Sequence, residues 1–180
     1  HAILAKRNLK APGWNSYTAC YSMHPLKNLN IWGDGGVITT NSKKIRDKLL
    51  LLRNHGLKNR NTCQIFAGNS RLDTIQAIVA NHMLKKIKFI TKKRISNAQT
   101  FDKLLSNTPQ ITLPKREKNA KQVFHIYVVL AKERNKLIKY LNINGIDAKI
   151  HYPIPMHLQP ASKKYGYRLG DFPNTEYVCK

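Results

Sequence analysis

Apolar residues recur at steps of three and four from Leu72 through Ile75, Val79, Met83, Ile87 and Ile90, and the pattern resumes at Ala98, Phe101 and Leu105. That spacing keeps one stripe on one face of a helix, so the segment is read as a long amphipathic helix with at most one break. Such a stripe needs a second layer to cover it. The chain on either side differs in character. The first forty residues are turn-dense, with Pro12-Gly13, Pro25 and Gly33-Asp34-Gly35-Gly36, and end in a β-type run, Val37 to Thr40. A helix is expected from Ser42 to Asn54, capped by Asn41 or Ser42 and stopped at Gly56.

Beyond the long helix, Pro109 and Pro114 bracket an exposed, Lys-rich stretch. A domain junction is placed near Lys115, giving residues 1–115 and 116–180 as two domains. The second domain reads as β-α-β: a buried strand over Val123 to Leu130, a helix over Arg134 to Asn142 stopped by Asn144-Gly145, and a strand over Ala148 to Tyr152. The proline-rich remainder is expected to be irregular, with a short helix near Ala161 to Tyr165. The organisation is α/β, with no internal repeat.

Apolar residues make up 42% of the 180, enough for a core, so global disorder is excluded. The formal charge of +23, from 32 Lys and Arg against 9 Asp and Glu, raises nucleic acid as a partner. Its densest run, Lys85 to Arg94, falls on the amphipathic helix, where a solvated outer face accounts for it. No zinc-finger spacing or aromatic RNA-binding signature is present, and nucleic acid is not the expected partner. Cys20, Cys63 and Cys179 are isolated, suggesting neither a disulfide framework nor a zinc site and fitting a reduced, cytoplasmic compartment. No apolar stretch is long enough for a membrane span, and no signal core is visible at the start.

The chemistry gathers at Cys20-Tyr21-Ser22-Met23-His24-Pro25-Leu26-Lys27-Asn28-Leu29, followed by Gly33-Asp34-Gly35-Gly36. Alone, Lys27 reads as a solvated lysine in a loop. Four further blocks change that: Leu52-Arg53-Asn54-His55-Gly56; Gly68-Asn69-Ser70-Arg71-Leu72-Asp73 running into Gln76-Ala77; Val123-Phe124-His125-Ile126-Tyr127-Val128; and Ile150-His151-Tyr152-Pro153-Ile154-Pro155-Met156-His157 with Gln159-Pro160-Ala161. In order and spacing the five resemble the DegT/DnrJ/EryC1/StrS family of sugar aminotransferases, over nearly the whole chain.

The resemblance implies a partial pyridoxal-phosphate-dependent transferase of fold type I: the remainder of a large domain plus a small α+β carboxy-terminal domain. It implies pyridoxal 5'-phosphate as cofactor, bound covalently by Lys27, which would then also move protons as acid and base. A lysine suits both tasks because its neutral amine is a good nucleophile. Ser22 and Asn69 match residues that hold the cofactor phosphate, Asn69 from the neighbouring subunit, and His1 matches a position beside the cofactor. Arg71, His151 and Tyr152 match positions that contact a nucleotide-sugar or its diphosphate, where the planar fork of Arg suits two oxygens at once. The implied reaction moves an amino group, from glutamate, to a keto carbon of a nucleotide-activated deoxysugar, in a homodimer with shared active sites.

Taken as residues, Ser22 also reads as a turn former and Asn69 as a helix cap. His55 is expected to bond the last carbonyls of a helix, and His125 to be a satisfied histidine within a strand. Neither is given a catalytic role, and His157 has no partner in view. Met23 and Leu26 replace the commoner aromatic and Thr of the lysine loop, without removing a proton-transfer group. Related dehydratases carry His in place of the lysine, so Lys27 favours transamination. The family's acidic residue for the pyridine nitrogen is expected three residues before His1, and the sequence reads as cut at both ends. Two other readings stay open: an inactive fragment or homologue that keeps only the fold and dimer surface, and a basic nucleic-acid-binding module, whose binding to mixed-sequence DNA would depend steeply on salt.

Overall fold

The structure is a computed structural model and describes residues 1–179. In chain order its elements are β1 (Lys6–Arg7), β2 (Ala19–Ser22), β3 (Gly36–Thr39), α1 (Lys43–Arg53), β4 (Leu57–Asn59), β5 (Thr62–Cys63), α2 (Thr74–Leu105), β6 (Ile111–Thr112), β7 (Ala120–Lys121), β8 (Leu130–Ala131), α3 (Arg134–Ile143) and α4 (Pro173–Cys179). Two 3-10 turns, Met156–Leu158 and Pro160–Tyr165, precede α4. The strands form four antiparallel ribbons of two: β1 with β7, β2 with β3, β4 with β5, and β6 with β8.

Local sequence explains the helices. The Ser42 Oγ accepts from the Ile45 amide at 3.3 Å, satisfying one of the free donors at the start of α1. At the start of α2, the Gln76 Oε1 accepts from the Asp73 amide, the reach-back half of a capping box. The helix then runs unbroken for 32 residues, with Ala80, Ile87, Thr91 and Ala98 buried along one face. The single break that the spacing allowed does not occur. In α3 the stop is as expected, with Gly145 at φ 78° just past the helix.

The chain divides into two compact units: residues 1–104 with 115–127, and residues 105–114 with the chain from 128 onward. It passes between them three times, where the sequence reading has one junction near Lys115. Pairing explains the difference. The β6–β8 ribbon draws residues 105–114 to the second unit, while β1–β7 pairing and the Asp102–Arg116 ion pair return 115–127 to the first.

Two expected strands do not form. Over Val123 to Leu130 the carbonyls are taken by side chains instead of a ladder: Val123 O by Asn28, and Phe124 O and His125 O by Arg94. Phe124 also sits at φ 46°, outside strand geometry, so only Leu130 enters a ribbon. Over Ala148 to Tyr152 the Ala148 amide goes to Asn142 Oδ1, and Pro153 and Pro155 have no amide to pair.

The core of the first unit packs Met23, Leu29 and Ile31 from the loop between β2 and β3 against Ala80 and Ile87 of α2, with Ile3, Leu4, Leu72 and Met83 at its edge. It is small for the chain. The accessible surface is 14452 Å², where a self-contained protein of 20.7 kDa would show roughly 8,900 Å². On α2, Ile75, Ile78, Phe89 and Leu104 are each more than half exposed. No helix among the described residues is long and apolar enough to cross a membrane.

Candidate functional site

The lysine loop is the most deeply packed turn of the first unit. Met23, Asn28, Leu29 and Ile31 are buried, and the loop closes on itself through Met23 N to Gly35 O at 2.8 Å, Ile31 N to Met23 O at 3.0 Å and Lys27 N to His24 O at 2.8 Å. Gly36 pairs with Ser22 across the ribbon, and a Cβ there would lie 2.8 Å from the Tyr21 carbonyl. Only glycine lets the two backbones approach so closely. Gln76 fastens the loop to α2, its Nε2 donating to Trp32 O at 3.2 Å and Asp34 O at 3.1 Å.

This packing sets Lys27 apart. Among the described residues it is the only lysine that is not exposed. Its Nζ lies 3.0 Å from His125 Nε2, and the Nδ2 of the adjacent, buried Asn28 donates to Val123 O at 2.7 Å. The His1 ring sits against the His125 ring, centroids 4.5 Å apart. The Ser22 Oγ accepts from the His24 amide at 3.4 Å, which leaves its O–H to donate.

Asn69 and Arg71 form a second cluster. The Asn69 Oδ1 accepts from both the Arg71 amide and Nε at 3.1 Å, and Arg71 Nη1 reaches Asn54 Oδ1 at 3.2 Å. Asn69 therefore closes a turn and does not cap α2, and its Nδ2 hydrogens are left to donate elsewhere. His55 N to Gly68 O and Ser70 N to Arg53 O, both 2.9 Å, join the end of α1 to this turn. At His55 it is the backbone that bonds, the amide donating to Gly68 O and the carbonyl accepting from Cys63 Sγ at 3.4 Å. Two blocks far apart in sequence thus become one structure.

His151 and Tyr152 belong to the second unit, their rings stacked with centroids 4.1 Å apart. His157 does have a partner: its Nε2 lies 3.0 Å from Glu176 Oε1, both side chains buried. Burial pushes the Glu176 carboxyl up, but the Gly170 amide, the His157 ring and the Phe172 amide together hold it below its ordinary value.

The sequence reading quoted Asn28 and Gln76 only as parts of matching blocks, took His125 as a strand histidine, and did not single out Arg94. Its misplacement of His125 came from treating Val123 to Leu130 as a strand. A signal was present for His125, which stands in the apolar run Val123-Phe124-His125-Ile126, since polar groups drawn into the interior must find partners. His1 and His125 also line an open cleft of about 640 Å³, with Lys6, Lys10 and Lys121 on its rim and Trp14 in its wall. Cations beside an aromatic ring suit a planar anion.

Fold and site together define a partial α/β fold of type I with a packed, half-buried lysine. The family profile described as DegT/DnrJ/EryC1/StrS aminotransferase matches residues 1–180, and the chain belongs to that family. It is 35% identical to a "Pleiotropic regulatory protein" of Geobacillus stearothermophilus, over 99% of this chain and 49% of that protein. It is 33% identical to a dTDP-3-amino-3,4,6-trideoxy-alpha-D-glucose transaminase of Streptomyces venezuelae, over 93% of this chain and 44% of the relative. Among solved structures, that of S. venezuelae DesV in complex with a ketimine intermediate superposes with a TM-score of 0.91 at 31% identity, over 97% of this chain and 47% of that one. The chain spans about half the length of the relatives it matches.

Proposed function

We propose that this chain supplies the lysine-bearing part of a pyridoxal-phosphate-dependent aminotransferase that moves an amino group, from glutamate, to a keto carbon of a nucleotide-activated deoxysugar. The observation that carries the reading is Lys27 as the one lysine among the described residues that is withdrawn from solvent, on the best-packed loop of the first unit. A lysine kept there has a role that surface lysines lack. The names of relatives, which include transaminases acting on dTDP- and UDP-sugars, support the substrate class.

The residues fit the cofactor. Lys27 offers a primary amine for covalent attachment, Ser22 a free O–H for a phosphate oxygen, and Asn69 uncommitted amide hydrogens for the same group in a neighbouring subunit. When bound, the cofactor supplies the electron sink that makes the donor's α-proton labile. The chain's own residues do the rest. The loop holds the Lys27 amine in one place, Nζ gives and takes the proton, and Arg71, His151 and Tyr152 are the candidates for the sugar nucleotide. The cationic cleft beside His125 offers a surface for its phosphates. Two domains, residues 1–115 and 116–180, remain our proposed functional division, with chain crossings as described.

Borohydride reduction of the full-length protein carrying the cofactor, followed by peptide mapping, tests the reading. The adduct is expected on Lys27, and Lys27→Ala is expected to fold without covalent attachment. An adduct on another lysine would overturn the assignment.

A further inference from the structure

We propose that His125 is the positioning residue and proton partner of Lys27. The inference rests on the reading of Lys27 given above. Lys27 Nζ and His125 Nε2 are 3.0 Å apart. A hydrogen bond between two nitrogens needs one hydrogen and one lone pair, so the imidazole is neutral at Nε2 when the amine is an ammonium. If both were protonated, two cations would face each other and the bond would be lost. The geometry therefore has room for a single hydrogen between the two nitrogens, and that hydrogen can cross from Nζ to Nε2. That transfer breaks an N–H bond at lysine, forms one at imidazole, and leaves on Nζ the lone pair a nucleophilic amine needs.

The surroundings hold His125 in place. Arg94 Nη1 bonds the carbonyls of Phe124 at 3.1 Å and His125 at 3.0 Å, Asn28 bonds Val123 O, and the Arg116 guanidinium lies 5.0 Å from the Phe124 ring centre. Phe124 is left-handed at φ 46°, a conformation a phenylalanine adopts only when its neighbours impose it. These contacts fix the three-residue strap whose last member meets the lysine. Among the charged or titratable groups that bear on the His125 ring and backbone are Lys27, the His1 ring and Arg94. A histidine that only filled space would not be set against an amine.

The test uses the full-length protein. With the cofactor removed, NMR titration of carbon-13-labelled histidine should show the His125 midpoint rise by about one pH unit in Lys27→Met, because a neighbouring cation no longer opposes the imidazolium. Lys27→Gln serves if the methionine variant does not fold. An unchanged midpoint would overturn the pairing. With the cofactor restored, His125→Leu should lower kcat by about a hundredfold with KM nearly unchanged. His125→Gln, which keeps an acceptor but cannot take the proton, should restore the cofactor's visible spectrum and not kcat. Wild-type kcat in both variants would overturn the role. A borohydride adduct on another lysine would instead overturn the assignment of Lys27, and is read in a separate assay.

Discussion

Asp102 and Arg116 meet side by side, Nη2 2.8 Å from Oδ1 and Nε 3.0 Å from Oδ2, and so pin the returning segment 115–127 to the last turns of α2. The Tyr127 hydroxyl donates to the same Oδ1 at 2.7 Å. The Arg116 hydrogen bonds hold the Asp102 carboxyl below its ordinary value, while burial and then the Asp102 contact push the Tyr127 hydroxyl up to about 12. Asp102→Asn should cost about 2 kcal/mol in urea unfolding at neutral pH, because it leaves Arg116 half-buried without its charge partner. The sign with pH follows. A depressed carboxyl stabilises above its unfolded value of about 3.9, and that contribution fades as pH falls through the folded value. Tyr127 contributes below about 10 and loses its contribution as pH rises through about 12. The gap between wild type and Asp102→Asn should therefore close in acid.

Gln76→Met should loosen the lysine loop without unfolding α2. It removes the bonds to Trp32 O and Asp34 O, and with them the Asp73 amide bond at the first turn of α2, while keeping side-chain volume. We expect a loss of about 1–2 kcal/mol, with faster amide exchange at Met23 and Ile31. Unchanged exchange there would mean that the loop holds itself.

Because Asn69, Arg71 and His151 match family positions that complete the neighbouring subunit's site, and Asn69 and Arg71 share an exposed turn, we propose a homodimer with shared sites. Mixing full-length Lys27→Ala with Asn69→Ala should restore part of the activity through hybrid dimers. No recovery, with subunit exchange demonstrated, would count against shared sites.

Glu176 accepts from the Gly170 amide at 2.8 Å and the Phe172 amide at 3.4 Å as well as from His157. Glu176→Gln should speed hydrogen exchange at both amides. In wild type the same loosening should come on in acid: the carboxylate is held below its ordinary value, so its contribution is lost as pH falls through the folded value.

The 180 residues expressed alone should show poor solubility and little or no transaminase turnover, even with Lys27 intact. The exposed Ile75, Ile78, Phe89 and Leu104 on α2 require cover. A coupled glutamate-dependent assay on the chain and on the full-length protein decides it. Turnover within tenfold, about 1.4 kcal/mol in barrier height, would contradict the expectation.

Period and caps were legible: a long helix over the stripe that ends at Leu105, Ser42 as a cap, and Asn144-Gly145 as a stop all appear where spacing places them, although Ile75 and Phe101 of the stripe are exposed. The lysine loop was legible only as a pattern of residue types. Its burial was not, because Met23, Asn28, Leu29 and Ile31 carry no period, and turn signals usually mark surface. The segment from Val123 to Leu130 misled because an apolar run looks like a strand until its carbonyls are claimed by side chains such as Asn28 and Arg94, which no local pattern reveals. The domain crossings depended on β6 pairing with β8, a long-range choice invisible to composition.

Lys27 and Asn28 are tied to His125 and Val123 across 98 and 95 positions of chain. Contacts that distant carry a large loop-closure entropy, so they are expected to close late. On the ribosome, the lysine loop emerges well before the strap that completes its surroundings. Chemical competence at this amine is then among the last properties the nascent chain acquires, and a nascent protein stalled before Val123 would carry the lysine with neither its anchor nor its imidazole.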